Sequence, residues 1–157
     1  MYRFVDRPLT QLDDDMAFLV EAMRTWVGAS MAGRCACAAL RGPFARHGMP
    51  EALPDFGMAM AALNIDGLAR LSFAPPGYVL VNDDEARLLA LFSASRAPDP
   101  GPLRRHAAGL VAEDAVLCLM LAVERVGAAF PIATPTTRGN TPPRNAPRGN
   151  APRRNDS

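Results

Sequence analysis

The last 24 residues, 134–157, set the strongest limit on what this chain can fold into. They contain no valine, leucine, isoleucine, methionine or aromatic residue, and they repeat arginine, proline and asparagine in the loose pattern PRN, APRGN, APRRN. Such a segment cannot bury enough apolar surface to offset the entropy that it would lose on ordering. We therefore expect one globular domain over residues 1–133 and a disordered basic tail over residues 134–157.

Charge divides the chain at the same place. Residues 1–133 hold twelve arginines and fifteen acidic residues, a net charge of −3, whereas residues 134–157 hold five arginines and one aspartate, a net charge of +4. A flexible cationic arm can contact phosphates without sequence preference, so weak, non-specific nucleic-acid binding is one interpretation of the tail. A solubilising or non-functional extension is an equal alternative. The residues that would contact nucleic acid are Arg138, Arg144, Arg148, Arg153 and Arg154.

The composition also argues against membrane and secreted classes. No apolar run approaches the roughly 18 residues of a membrane span, and the polar start MYRFVDRPLTQLDDD does not resemble a secretory signal. Cys35, Cys37 and Cys118 are an odd, sparse set, unlike a disulfide framework. The sequence therefore predicts a cytoplasmic protein in a reducing compartment, with no membrane partner.

The first half of the domain has helical periodicity. Apolar residues recur every three or four positions over residues 12–27, which predicts a long amphipathic helix with a start signal at Thr10 and Asp13. Residues 34–47 predict a second helix, which we expect to be interrupted at Gly42-Pro43 because proline removes a hydrogen bond of the helix.

A third helix is predicted from about residue 50 to residue 63, and the spacing of apolar residues changes after it. Residues 68–73 alternate between apolar and polar side chains, and residues 78–81, YVLV, form a second short apolar run after an APPG turn. This pattern predicts an antiparallel β-hairpin. Asn82 and Glu85 then have the spacing of a capping box and predict the start of a fourth helix.

A fifth, long helix is predicted from Pro102 to about Val126. Its second half is apolar nearly all round, which is typical of a helix at the centre of a core or shared with a second subunit. The predicted fold is thus mainly α, with about five helices and one small antiparallel β-hairpin in the order α-α-α-β-β-α-α. This order resembles that of a winged-helix DNA-binding domain in outline, although residues 48–69 contain no arginine or lysine to face phosphates.

The stretch GRCACAAL, residues 33–40, most resembles a chemical site. Cys35 and Cys37 could bind a metal together with His47, but only if the backbone near Cys35 is not helical and the chain folds back after Pro43. Residues two apart on a helix point about 200° away from each other, so a helical backbone would separate the thiols. Packing of the cysteines in the core is the alternative that we favour, and a strained disulfide is a third.

Asp114 is predicted to lie in the middle of an apolar stripe of the last helix, where a carboxylate needs a partner such as Arg24 or Arg34. The sequence contains no GxSxG, GxGxxG or GxxxxGK[ST] motif, and we assign no catalytic residue and no cofactor.

We therefore expect a non-catalytic protein-interaction or regulatory module, with the last helix as the surface through which it could self-associate. A nucleic-acid-associated regulator and a small metal-binding protein using Cys35, Cys37 and His47 are the alternatives.

Overall fold

The computed structural model describes residues 3–130, and this part of the chain contains six α-helices. They run over Asp14–Met31 (α1), Ala36–Arg46 (α2), Leu53–Ile65 (α3), Asp83–Ala94 (α4), Gly101–Ala108 (α5) and Val116–Ala129 (α6). Three short 3₁₀ segments precede α1, α3 and α6, at Leu9–Gln11, Pro50–Ala52 and Glu113–Ala115. The predicted tail, residues 134–157, lies outside the described residues.

The core forms around α4, whose side chains are buried on nearly every side. Leu88, Leu89, Leu91 and Phe92 are all inaccessible to solvent although they are almost consecutive, so α4 is surrounded by the other elements. The sequence left two alternatives for the last helix, and α6 is not enclosed on all sides, because it exposes Leu117 and Leu121. The other fully enclosed large apolar residues are Leu19, Met23, Leu40, Phe44, Phe56, Leu103 and Leu119.

Local hydrogen bonds define both ends of α1. The side chain of Asp13 accepts a hydrogen bond from Met16 N at 2.9 Å, so Asp13 caps α1 and Thr10 does not. After α1, Gly33 has a φ of 66°, and Arg34 N donates to the carbonyl of Ala29, as in a Schellman motif.

The capping box of α4 is confirmed. Asn82 accepts from Glu85 N at 2.8 Å, and the Glu85 carboxylate accepts from Asn82 N at 3.0 Å. By contrast, α2 passes through Pro43 without the predicted interruption. Leu40 and Phe44, on either side of that proline, are both fully buried, and their burial outweighs the one hydrogen bond that proline removes.

The predicted β-hairpin is wrong, because residues 3–130 contain no β-strand and its two halves find different partners. The second half pairs with the N-terminal segment: Asp6 N donates to the carbonyl of Val81, and Val81 N donates to the carbonyl of Arg7. The chain just before the first half meets the segment after α5, through an isolated antiparallel bridge between Gly67 and Val111. Without a hairpin, the outline resemblance to a winged-helix domain has no basis.

The predicted fifth helix is also corrected, since it divides into α5 and α6. The turn at Gly109 ends α5, and Ala112 N donates to the carbonyl of Asp66, which draws this segment across to the end of α3. No helix among the described residues has the length and apolar character needed to cross a membrane.

Candidate functional site

A groove of about 850 Å³ lies between α1, α3 and the connection that follows α3. Met60 and Leu63 of α3 line it and are buried, so they form its floor, while Trp26 of α1 and Phe73 of the connection form aromatic walls. Met31, at the end of α1, lines the mouth and is 84% exposed. A volume of this size lies within the roughly 300–1,000 Å³ range of small-molecule sites.

Polar groups at the groove are few. Ser30, Asn64, Arg70 and Ser72 line it, and Arg70 is the only charged residue that does so. No side-chain hydrogen bond or ion pair joins Arg70 to any other residue of the range 3–130, and Arg70 is exposed. The groove therefore presents apolar surface and one cation without a protein partner.

The wall of the groove is held by a buried ion pair. Arg24 of α1 donates from Nε to Glu85 Oε1 at 2.7 Å and from Nη2 to Glu85 Oε2 at 2.8 Å. The remaining donors reach the carbonyls of Tyr78 and Leu80 and the carboxylate of Glu21. Burial alone would lower the pKa of Arg24, but the hydrogen bonds and charges of Glu85 and Glu21 raise it above its usual value.

The same carboxylate fixes the connection from the other side. Glu85 accepts from Ala74 N at 3.0 Å, and its neighbour Asp84 accepts from Ser72 N at 2.8 Å. Asn82 Nδ2 donates to the carbonyl of Ser72 at 3.1 Å. Side chains at the start of α4 thus replace the strand partner that the predicted hairpin would have supplied.

A second exposed surface joins α3 and α6. Leu117 and Leu121, one turn apart on α6, are 65% and 48% exposed, and Met58 of α3 is 46% exposed. Met58, Cys118 and Leu121 line one shallow depression, which Arg125 borders. We refer to Met58, Leu117, Cys118 and Leu121 as the α3–α6 patch.

The structure does not bring Cys35, Cys37 and His47 together. Cys35 and His47 flank the two ends of the continuous helix α2, twelve positions or about 18 Å apart along its axis. Among residues 3–130, no group of three or more histidine, cysteine or acidic side chains is arranged to hold a metal. Both cysteines are exposed, so the favoured interpretation of them as core residues is wrong. Cys37 Sγ lies against Gly57 of α3 at the edge of the core.

His47 instead belongs to a cluster at the ends of four helices. Its Nε2 lies 3.2 Å from Asp15 Oδ1, its ring stacks on Phe18 with centroids 4.1 Å apart, and Asp15 also accepts from Arg96 at 3.1 Å. The guanidinium of Arg96 lies over the ring of Phe130, which follows α6. Within residues 3–130, Asp15 is the side-chain hydrogen-bond partner of His47.

Asp114 is corrected in the same way. It lies in the 3₁₀ segment before α6, it is exposed, and no ion pair joins it to Arg24, Arg34 or any other residue in the described part of the chain. The buried carboxylate is Glu85, which the sequence indicated only as a capping residue. The sequence likewise indicated Trp26 only as one residue of the apolar stripe of the first helix, and not as part of a groove. The five tail arginines lie outside the described residues.

Comparisons of the chain with protein-family models, with curated proteins and with solved structures found no match.

Proposed function

We propose that this protein is a non-catalytic interaction module, and that it self-associates through the α3–α6 patch. The observation that carries the proposal is the exposure of Leu117 and Leu121 on one face of α6, beside Met58 of α3. Large aliphatic side chains that are adjacent and solvated are typical of surfaces that are covered by a partner.

The chemistry of this patch suits a copy of the same chain. The patch is uncharged at its centre, and the ion pair between Arg125 and Asp55, with a nitrogen–oxygen distance of 3.4 Å, lies at its edge. An apolar centre with a polar rim is the usual arrangement of an interface. Since Leu117 and Leu121 lie on one continuous helix, two copies of α6 can cross about a two-fold axis and cover the same leucines reciprocally, as in most homodimers.

Sedimentation velocity of the full chain over a wide concentration range tests the proposal. We expect a concentration-dependent dimer, and we expect the double variant Leu117→Glu/Leu121→Glu to remain a monomer because it would bury like charges. Leu68→Glu is a matched control, since Leu68 is 62% exposed but lies outside the patch. A wild-type chain that is monomeric at every concentration would contradict self-association, as would equal effects of the patch and control variants.

Thiol alkylation gives a second readout of the same surface. Cys118 lies in the patch and Cys35 lies outside it, and both are exposed. We expect alkylation of Cys118, mapped by mass spectrometry, to slow as the dimer forms, while alkylation of Cys35 keeps its rate. Equal rates for Cys118 in monomer and dimer would place the interface elsewhere.

A further inference from the structure

We propose that the groove between α1 and α3 binds a single-chain amphiphile that carries one carboxylate, with its apolar chain along Trp26, Met60 and Leu63 and its carboxylate at Arg70. This ligand site is separate from the α3–α6 patch, because the two surfaces share no lining residue.

The shape of the groove favours a small apolar body. Its volume of about 850 Å³ is bounded by the buried side chains of Met60 and Leu63 and by two aromatic rings, Trp26 and Phe73. The lining mixes apolar side chains with polar surface, and in small-molecule sites such polar groups fix the orientation of the ligand. Ser30 and Asn64 provide such groups beside the apolar floor.

The charge of the groove selects the head group. Arg70 is the only charged residue in the lining, and no carboxylate accompanies it. A carboxylate on the ligand would supply the partner that Arg70 lacks within residues 3–130, and a guanidinium binds a carboxylate with two parallel hydrogen bonds. A cationic head group would meet Arg70 with no acidic residue of the lining to balance it.

The backbone beside the groove argues against an added peptide strand. The connection passes the groove in an extended form, but Ser72 already donates its N–H to Asp84 and accepts at its carbonyl from Asn82. Ala74 N donates to Glu85. A peptide that adds as a strand needs a row of free backbone groups, and here three of them are occupied by side chains of the protein.

The groove is also preformed, because its outer wall is anchored to the core. Arg24 donates to the carbonyls of Tyr78 and Leu80, and Glu85 accepts from Ala74 N, so closure of the connection onto the floor would break partly buried hydrogen bonds. A preformed site avoids the ordering that a flexible site must undergo on binding.

The only tryptophan of the chain makes the site directly observable, because Trp26 lines the groove. We would titrate the full-length protein with sodium dodecanoate, below its micelle-forming concentration, and follow tryptophan fluorescence, with calorimetry to give the stoichiometry. We expect a saturable change with one dodecanoate bound per chain. Decanoate should bind roughly tenfold more weakly, since each buried methylene changes affinity up to about fourfold.

Head-group analogues test the role of Arg70. Dodecanol and dodecyltrimethylammonium have the same chain length without the carboxylate, and both should bind several-fold more weakly than dodecanoate. Arg70→Ala should weaken dodecanoate binding about fivefold and leave dodecanol binding unchanged, while Arg70→Lys should keep most of the preference. Arg104→Ala is the matched control, because Arg104 is exposed on α5, outside the groove.

Three results would overturn the proposal. They are a fluorescence signal that does not respond or does not saturate, equal binding of dodecanoate and dodecanol, and equal effects of Arg70→Ala and Arg104→Ala. Binding that is lost in Leu117→Glu/Leu121→Glu and retained in Arg70→Ala would instead place the amphiphile on the α3–α6 patch. Because the dimer and the ligand are measured separately, failure of one does not decide the other.

Discussion

At the scale of single residues, the pair formed by Arg24 and Glu85 is the most demanding arrangement in the domain. Arg24 is 1% exposed and Glu85 is 0% exposed, so both charges are removed from water. All five N–H groups of the guanidinium find acceptors, and the carboxylate of Glu85 accepts four hydrogen bonds. A buried ion pair is tolerated only when its remaining donors and acceptors are satisfied in this way.

A double-mutant cycle tests how strongly the two charges depend on each other. Glu85→Gln should lower the free energy of unfolding by about 3–5 kcal/mol, because it leaves the Arg24 cation buried without its anion. Arg24→Met should have a similar effect, since it leaves the Glu85 carboxylate unpaired. The double variant should lose less than the two single losses combined, measured by urea denaturation.

Glu21→Gln is the control for this cycle. Its carboxylate lies on the same guanidinium at 3.2 Å, but 38% of its side chain is exposed. Its removal should cost less than about 1 kcal/mol. Additive losses in the double variant, or an equal loss in Glu21→Gln, would contradict the assignment of Arg24 and Glu85 as one unit.

Local sequence patterns assigned a structural role to only one residue of this ion pair, Glu85. The capping box of Asn82 and Glu85 depends on residues three apart, and it was predicted because local spacing determines it. The partner of Glu85 lies 61 positions away, and nothing in local spacing can indicate a contact of that kind. The prediction that the cysteines are buried failed for the same reason. Whether the Cys37 side chain is covered depends on how α3 packs beside α2, which local spacing does not indicate.

At the scale of secondary-structure elements, the failed hairpin shows what an alternating pattern determines. Alternation at residues 68–73 and the short apolar run at residues 78–81 predicted extended backbone, and residues 78–81 do pair with an antiparallel neighbour. Alternation does not specify which neighbour, and here the N-terminal segment and the side chains of α4 supply the hydrogen bonds. Two short runs of this kind are marginal as an isolated hairpin, so competing partners decide the outcome.

The short helix α5 makes the stability of the domain depend on pH. Burial lowers the pKa of His106, and the neighbouring positive charge of Arg105 acts in the same direction. The unfolded chain therefore binds a proton on this side chain more readily than the folded chain does. The contribution of His106 to stability is fully present above the unfolded pKa of about 6.5, and it is lost as the pH falls from that value through the lower pKa of the folded state.

We expect the free energy of unfolding to fall between about pH 7.5 and pH 5.5, and we expect His106→Gln to reduce that fall. Urea denaturation at the two pH values measures the difference, and comparison within each variant removes any constant effect of the substitution. An NMR titration of the His106 ring should give a pKa below that of an unstructured peptide. An equal fall in wild type and variant would show that other groups control the response to acid.

At the scale of the whole molecule, charge and apolar surface are separated along the chain. Residues 1–133 carry a net charge of −3 and contain both apolar surfaces, the groove and the α3–α6 patch, while residues 134–157 carry +4. We therefore expect any attraction to a polyanion to come from the tail. Composition was sufficient to predict this division, since it depends on counts of residues and on no tertiary contact.

The tail charge gives the last prediction, which concerns nucleic acid. We expect the full chain to bind duplex DNA and single-stranded RNA weakly and without sequence preference, with affinity falling steeply as salt rises. Five arginines can neutralise at most five phosphates, so the slope of log affinity against log salt on duplex DNA should be no steeper than about −4.5. A full-length variant with the five tail arginines replaced by glutamine keeps the length of the chain and should lose binding. Binding that persists in this variant, or a slope well beyond that limit, would mean that an arginine face of the domain contacts the phosphates despite the net charge of the domain.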